Sequence, residues 1–273
     1  MSRSRTFFFI LLVAALTIEL IGFFHTRPQS VPLRTPRPST APAKPPKPPV
    51  LKAVPLYERV FNNAEALHKM TEKVFAGHST YTIEGSGAAA GLLAESVATS
   101  SMLYEEVKIP VGARPILNWE WSVEEFPTNK KNEKLGDRGD NDFALRVYAF
   151  FKGTTLWNSR VIQYVWDDHF AEGESASSAF SANVRIWVAQ HSDQVAANEW
   201  QIEERDVYKD YEELFGEPAN LPLAAVGVMT DSDNTRTRSK ARVKYLRLKA
   251  GAPAQKSAPG DAMEAMIPES GGD

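Results

Sequence analysis

The stretch PILNWEWSVEEF, residues 115–126, alternates apolar and polar side chains with a period of two. Successive side chains of a β-strand point to opposite faces, so this period is typical of a strand with one buried face. Polar residues separate the four residues of the apolar face, which are Leu117, Trp119, Trp121 and Val123. We therefore predict that Trp119 and Trp121 point into the core of a β-structure.

Strand-like segments recur along the rest of the chain. They are FALRVYAFF (143–151), RVIQYVW (160–166), NVRIWVAQ (183–190), LAAVGVM (223–229) and RVKYLRL (242–248). Turn-rich stretches such as GDRGDND and AEGESASS separate them. Many short strands joined by polar turns are typical of an antiparallel β-sandwich, and we predict a mostly-β fold of this kind.

Two segments break the period of two. RDVYKDYEELFGE (205–217) carries apolar residues at helical spacing, with Asp206 placed to cap the first turn and Gly216 to end the helix. We predict a short helix here that covers one end or edge of the sheets. A second helix is predicted over residues 58–75, at the entrance to the domain.

Composition excludes several functional classes. The chain of 273 residues has a net charge of −3, although its first 55 residues hold eight Lys and Arg against one acid, so the remainder is acidic. An acidic domain is repelled by phosphate backbones, and we expect no nucleic-acid partner. There is no cysteine, which excludes thiolate metal sites, cysteine nucleophiles and disulfides.

The N-terminal residues predict export. Arg3 and Arg5 precede an apolar run over residues 7–24, and about 20 apolar residues span a bilayer. We predict an uncleaved signal anchor over residues 1–27 that forms a single transmembrane helix. A cleavable signal peptide, cut after Ala15, is the alternative. Either segment would export the domain that follows.

The composition divides the remainder into three parts. Residues 28–55 hold ten of the 18 prolines, which predicts an extended linker. Residues 56–250 have an ordinary length for a single domain and carry the predicted strands. Residues 251–273 are small, polar and acidic, and we expect a disordered tail.

Five segments together resemble the bacterial DUF3047 family. They are LNWEWSV, GDNDFALRVYAFF, IQYVW, EWQIEERDVYKDYEELFGE and MTDSDNTRTRSKARVKYLRL, in that order. The resemblance covers about residues 75–249 and implies a jelly-roll sandwich of the galactose-binding type, with no established activity. Where the family carries adjacent aspartates before an arginine-containing strand, this chain has Asp140, Asn141 and Asp142.

The segment TDSDN contains Asp231, Asp233 and Asn234, between the last two predicted strands. Aspartate and asparagine favour turns, and the same oxygen ligands suit a calcium ion or a polar ligand. An EF-hand is excluded because Arg236 and Arg242 stand at its sixth and twelfth positions. A structural turn, a calcium site on Asp231 and Asp233, and ligand contact remain as three interpretations.

A second acidic segment precedes the strand FALRVYAFF. Alternation places Asp142 and Arg146 on one strand face. Asp140 or Asp142 with Asp231 could serve as the acid and base of a glycosidase. The alternative is an ion pair between Asp142 and Arg146, since charges on a sheet face are usually paired.

The six tryptophans offer candidates for sugar stacking. Most aromatic side chains in strands belong to the core. Trp166 and Trp187 lie opposite the Val and Ile rows of their strands, so we predict that they face a ligand. The histidines have no metal-ligand spacing, and no zinc site is expected.

These observations favour a sandwich that binds a glycan or another envelope polymer without catalysis. It would be tethered to the bacterial inner membrane and face the periplasm. The alternatives are a glycoside-active enzyme and a protein-interaction module. No cofactor is expected, apart from the alternative of a structural calcium ion. The predicted ligand-binding residues are Trp166, Trp187, Asp142, Arg146, Asp231, Asp233 and Asn234.

Overall fold

A computed structural model describes residues 55–131, 134–139, 141–192 and 198–251. The predicted signal anchor, nearly all of the proline-rich linker, the acidic tail and Asp140 lie outside these residues. Within them, no helix is long and apolar enough to cross a membrane.

The described residues form two sheets. The six-stranded sheet contains β1 (Tyr57–Val60), β3 (Thr80–Glu84), β4 (Gly91–Val97), β6 (Ile116–Glu125), β11 (Gln201–Asp206) and β13 (Arg238–Lys249). The seven-stranded sheet contains β2 (Thr71–Ala76), β5 (Ser100–Ile109), β7 (Leu145–Phe151), β8 (Arg160–Asp167), β9 (Ser175–Ser178), β10 (Ser181–His191) and β12 (Leu223–Asp231). The mostly-β sandwich predicted from the sequence is confirmed.

Strand order shows how the sheets are connected. The six-stranded sheet runs β11-β6-β13-β4-β3, with β1 beside β13, and the seven-stranded sheet runs β2-β5-β12-β7-β8-β10-β9. All described pairs are antiparallel except β8 and β10, which are parallel and correct the expectation of a purely antiparallel sandwich. The connection 232–237 carries the chain from β12 to β13, and so from one sheet to the other.

The core lies between the two sheets. Trp119 and Trp121 are fully buried there, as their alternation along β6 predicts. Their indole rings meet edge to face, with centroids 5.3 Å apart, and Trp119 also packs on Tyr164 of the opposite sheet. Aromatic rings therefore join the two layers near the middle of the sandwich.

The predicted exposure of Trp166 and Trp187 is wrong. Trp166 is 2% exposed and Trp187 is 9% exposed, and both belong to the core between the sheets. The opposite faces of β8 and β10 are also buried, because Leu135 and Phe143, which lie between β6 and β7 in the chain, cover them. That second cluster contains Leu135, Phe143, Val165, Ile186 and Val188. Both faces of these strands are apolar, so alternation could not distinguish the inner face from the outer one.

The helix predicted near residue 207 is confirmed as α2 (Val207–Phe215). The Asp206 side chain accepts hydrogen bonds from the Tyr208 and Lys209 amides, and Gly216 ends the helix in a left-handed conformation. The helix predicted over residues 58–75 is mostly wrong. Only α1 (Glu65–His68) forms there, and the flanking residues enter β1 and β2.

Candidate functional site

Arg146 and Asp231 form an ion pair on the outer face of the seven-stranded sheet, and each is 1% exposed. The Nε atom of Arg146 lies 3.2 Å from Oδ1 of Asp231, and its Nη2 atom bonds Oδ2. The amide of Phe143 also donates to Oδ1, over 3.0 Å. Asp231 is therefore the last residue of β12 and a buried ion-pair partner, which corrects the interpretation of Asp231 as a turn residue.

Asp142 does not pair with Arg146 as predicted. It precedes β7 rather than lying in it, and its side chain is fully buried. Its carboxylate accepts hydrogen bonds from the amide of Thr235 and the hydroxyl of Thr235, both at 2.7 Å. The backbone amide and the side-chain amide of Asn234 donate to its other oxygen, at 3.3 and 2.9 Å. Asp142 thus holds the connection 232–237 in place.

Hydroxyl groups hold the same connection to the six-stranded sheet. The hydroxyl of Ser96 on β4 donates to that of Ser232 over 2.8 Å, and it also lies 2.6 Å from the hydroxyl of Ser239. Ser239 in turn bonds Thr230, over 2.7 Å. The connection is anchored from both sheets, which is consistent with a structural turn.

The structure brings three carboxylates together. Oxygen atoms of Asp142, Asp231 and Asp233 all lie within 4.8 Å of one another, and Asp233 is half-buried. Burial raises the pKa of Asp231 to about 7, and the charge of Arg146 opposes this shift. Oxygens of Asp142 and Asp231 already accept the donors described above, and a calcium ion would have to compete with them.

This geometry does not favour the glycosidase alternative. A glycosidase needs two carboxyl groups that flank a bound sugar. Asp142 and Asp231 are buried and face donors of the protein itself, and Asp140 lies outside the described residues. The structure brings together the predicted ligand-binding residues Asp142, Arg146, Asp231, Asp233 and Asn234, and the contacts described for them are made within the protein.

Trp166 and Trp187 lie apart from this cluster and are bonded within the fold. The indole N–H of Trp166 donates to the hydroxyl of Ser192 over 3.0 Å. The guanidinium of Arg205 stacks on Trp187, 4.4 Å from the ring centroid. Neither ring has a face available for a ligand.

A groove on the six-stranded sheet was not predicted. It has a volume of about 550 Å³. Its lining consists of Glu84, Gly85, Ala88, Ala89, Trp200, Arg242 and Lys244. The groove therefore combines one half-buried aromatic ring, small exposed residues of the turn between β3 and β4, and a charged rim.

Two glycines allow the turn between β3 and β4 to pack closely against neighbouring residues of the groove. Gly85 has a φ of +76°, and a Cβ atom there would lie 2.5 Å from the carbonyl oxygen of Ala89. A Cβ at Gly91 would lie 3.5 Å from the Trp200 ring and 3.2 Å from the carbonyl oxygen of Val243. The turn between β3 and β4 can thus fold tightly beside Trp200 because these positions lack side chains.

The charged rim of the groove is internally neutralised. Lys244 lies over the Trp200 ring, 4.3 Å from its centroid, and pairs with Glu120. Arg242 bonds Glu84 over 3.2 Å and also pairs with Glu124. The rim presents hydrogen-bonding groups without a large net charge, which suits a neutral polar ligand better than a strongly charged one.

Sequence reasoning missed Trp200, which directly precedes the edge strand β11. In EWQIEERD, Trp200 and Ile202 alternate with Gln201 and Glu203, and the apolar pair would be predicted to point inward. Ile202 is instead 64% exposed, and Trp200 is half-buried beside Lys244. The alternation of Trp200 and Ile202 with polar residues could have drawn attention to this segment. The pattern does not tell, however, whether the two apolar side chains point into the core or towards solvent.

Several solved structures are similar to this chain at low identity. A family 11 carbohydrate-binding module of a cellulase from Clostridium thermocellum is 9% identical, with a TM-score of 0.39 over 73% of this chain and 98% of that one. The xyloglucanase domain of NopAA from Sinorhizobium fredii is 8% identical, with a TM-score of 0.39 over 67% of this chain and 93% of that one.

The glycoside hydrolase domain of Endo-D from Streptococcus pneumoniae R6 is 11% identical, with a TM-score of 0.33 over 66% of this chain. The present chain spans only 21% of the length of that domain. At these TM-scores we draw no functional conclusion from the likenesses. No curated protein matches the chain in sequence.

A family model matches most of the compact domain. It is described as "Protein of unknown function (DUF3047)" and matches residues 68–247. These residues run from the end of α1 almost to the end of β13, and they include the buried ion pair and the groove. The chain therefore belongs to the DUF3047 family.

Proposed function

We propose that this chain is an exported, membrane-tethered jelly-roll sandwich that binds a glycan of the cell envelope in the Trp200 groove, without catalysis. The observation that carries the proposal is the groove itself. An aromatic ring beside convergent polar groups, in a volume of about 550 Å³, is typical of a small-ligand site.

The chemistry of the lining fits a saccharide. Lys244 covers one face of the Trp200 ring, and the rest of the half-buried ring would offer an apolar surface to the C–H groups of a sugar. Around it, Glu84 accepts hydrogen bonds while Arg242 and Lys244 donate them, so hydroxyl groups on the ring edge find partners of both kinds. The charged side chains of the rim are paired with opposite charges. A neutral glycan that enters the groove would therefore lose little binding free energy to the desolvation of unpaired charges.

The lining supports binding rather than hydrolysis. Glu84 is the one carboxylate among the seven lining residues, whereas glycoside hydrolysis uses a pair. A protein-interaction module remains the alternative, because Ile202 is exposed beside the groove. An interaction surface would extend over Ile202, whereas a glycan site would not.

The location is part of the same proposal. It is supported by the apolar run over residues 7–24, which would anchor the chain in the inner membrane. The proline-rich residues 28–55 would then hold the domain at a distance from the bilayer, where envelope polymers are accessible.

A glycan array of glucans, galactans, mannans and peptidoglycan fragments, probed with the full-length chain, tests the binding. We expect wild type to bind at least one class, and Trp200→Ala to weaken that binding about tenfold or more, as loss of an aromatic anchor does. Trp200→Phe should retain part of it. Ile202→Ala is the matched control, since it removes an exposed apolar side chain two residues further along the chain. Loss of binding in Ile202→Ala would favour the interaction surface, and binding unaffected by Trp200→Ala would exclude the groove.

A further inference from the structure

Trp157 is 79% exposed, in the segment that joins β7 to β8. A tryptophan side chain that stays in water forgoes the burial that usually stabilises it. A flexible loop could let such a side chain fold back onto the protein. The hydrogen bonds of residues 153–159 instead hold the loop backbone in one conformation.

The loop is closed by its own polar groups. The amide and the hydroxyl of Thr155 both donate to Oδ1 of Asn158, over 2.8 and 3.0 Å. The amide of Gly153 donates to the hydroxyl oxygen of Ser159, and that hydroxyl donates to the carbonyl of Thr155. Gly153 is required here because a Cβ atom would lie 2.2 Å from Oδ1 of Asn158.

The backbone of Trp157 is also tied to neighbouring elements. Its carbonyl oxygen accepts from Nη1 of Arg160, at 3.3 Å, and from the side-chain amide of Asn183, at 3.1 Å. Arg160 also pairs with Glu217, which follows α2, over 3.0 Å. The indole ring therefore projects from a backbone that is fixed on several sides.

The same bonds orient donors beside the ring. An amide N–H can donate only to an acceptor, so the Asn158 atom that receives the Thr155 amide must be oxygen. The NH₂ group then faces Thr154, to which it donates one hydrogen over 3.0 Å. The described residues offer no acceptor to its second hydrogen or to the hydroxyl hydrogen of Thr154, so both could bond a ligand.

We propose that the loop 153–159 is a second saccharide contact, in which Trp157 stacks on a sugar ring while Asn158 and Thr154 donate to its oxygens. The inference rests on the proposed glycan binding and adds a site on a different sheet from the groove. A protein partner fits less well, because the exposed neighbours Thr154, Thr155 and Asn158 are polar, and protein hot spots lie among other buried contacts. A loop whose backbone is already held also lowers the ordering cost of binding.

Two contacts on one chain have a measurable consequence. A polymer long enough to reach both sites binds with avidity, whereas a short fragment occupies one site at a time. The probes are soluble β-glucan, galactan, mannan and solubilised peptidoglycan, each compared with its tetrasaccharide-sized fragments. The proteins are the full-length chain and its Trp157→Ala, Trp157→Phe and Trp200→Ala variants.

We expect Trp157→Ala to weaken polymer binding about tenfold, as loss of a stacked ring would, and Trp157→Phe to lose less. Acrylamide should quench a fluorescence component of wild type that is missing in Trp157→Phe, and the bound polymer should protect it. If Trp157→Ala binds every polymer as wild type does and no protection appears, the second contact is excluded.

The two proposals fail in different ways. Weaker binding in Trp157→Ala with unchanged binding in Trp200→Ala would support the loop and remove the groove. The reverse pattern would support the groove and remove the loop. A wild-type chain that binds none of the probes would overturn both.

Discussion

Arg146 of β7 and Asp231 of β12 are paired in a buried position at the point where the chain leaves one sheet for the other. Arg146 also bonds the side-chain oxygen of Gln163, at 2.9 Å, and the carbonyl of Asn141, at 2.6 Å. The guanidinium thus joins β7 to β8, to β12 and to the residues that precede β7. The pair fixes the geometry of this end of the sandwich.

Asp231→Asn should destabilise the fold by about 3 kcal/mol or more, because it leaves the buried guanidinium without its counter-charge. Asp233→Asn changes a half-buried residue two positions further along the chain and should cost less than about 1 kcal/mol, since an amide keeps most turn hydrogen bonds. Urea unfolding at pH 8 would measure both. If both variants lost the same small amount of unfolding free energy, the Arg146–Asp231 ion pair would add no stability beyond that of the turn hydrogen bonds.

Calcium should leave the unfolding temperature unchanged. The oxygens of Asp142 and Asp231 already accept hydrogen bonds from the protein, and an ion would have to displace those donors. Thermal unfolding with calcium and with a chelator tests this. A rise of several degrees with calcium, abolished by Asp233→Asn, would instead make the three carboxylates an ion site.

Local patterns predicted those parts of the fold that depend on neighbouring residues. The period of two identified β6, and Asp206 and Gly216 marked the ends of α2. The partner of Arg146 could not be found in this way, because Asp231 lies 85 positions away in the chain. Asp142 lies close to Arg146 in the sequence, and this proximity suggested an ion pair that the structure does not contain.

The direction of the aromatic residues depended on what covers each sheet face. Trp119 and Trp121 were predicted correctly because polar residues mark the other face of β6. On β8 and β10 both faces are apolar, so the same reasoning failed for Trp166 and Trp187. The inner face can be told from the outer one only from the position of Leu135 and Phe143, which cover the outer face. That position depends on the tertiary structure and cannot be predicted from the pattern of a single strand.

Trp166→Ala should destabilise the fold by about 3 to 5 kcal/mol, as other large truncations in cores do. Trp157→Ala is the matched control, because its ring is exposed and its removal should change stability by about 0.5 kcal/mol at most. Denaturant unfolding compares them directly. A cost no larger than that of Trp157→Ala would mean that Trp166 is not buried on either face of β8.

The N-terminal apolar run predicts a product that stays with the inner membrane and keeps its first residues. Fractionation of cells that express the full chain, followed by N-terminal sequencing, would test this. Protease added outside spheroplasts should remove the domain and leave the anchor behind. A soluble periplasmic product that begins at Leu16 would show that the segment is a cleaved signal peptide.

Glu203 should make the fold less stable as the pH rises from 5 to 8. Burial raises its pKa to about 7 from the usual 4.5, Glu172 acts in the same direction, and the Trp121 indole and Arg205 oppose the shift. The folded chain therefore holds this proton more tightly than the unfolded chain does, and between the two pKa values the native state binds more protons. Stability from this group is complete below pH 4.5 and is lost as the pH rises through 7.

Glu203→Gln isolates that effect from other titrating groups such as Asp231, whose pKa is also raised. The variant resembles the protonated carboxyl, so its stability relative to wild type should increase by roughly 1 to 3 kcal/mol between pH 5 and pH 8. Urea unfolding at several pH values measures the difference. A difference that stays constant across this range would mean that Glu203 titrates normally and that its position on β11 is open to water.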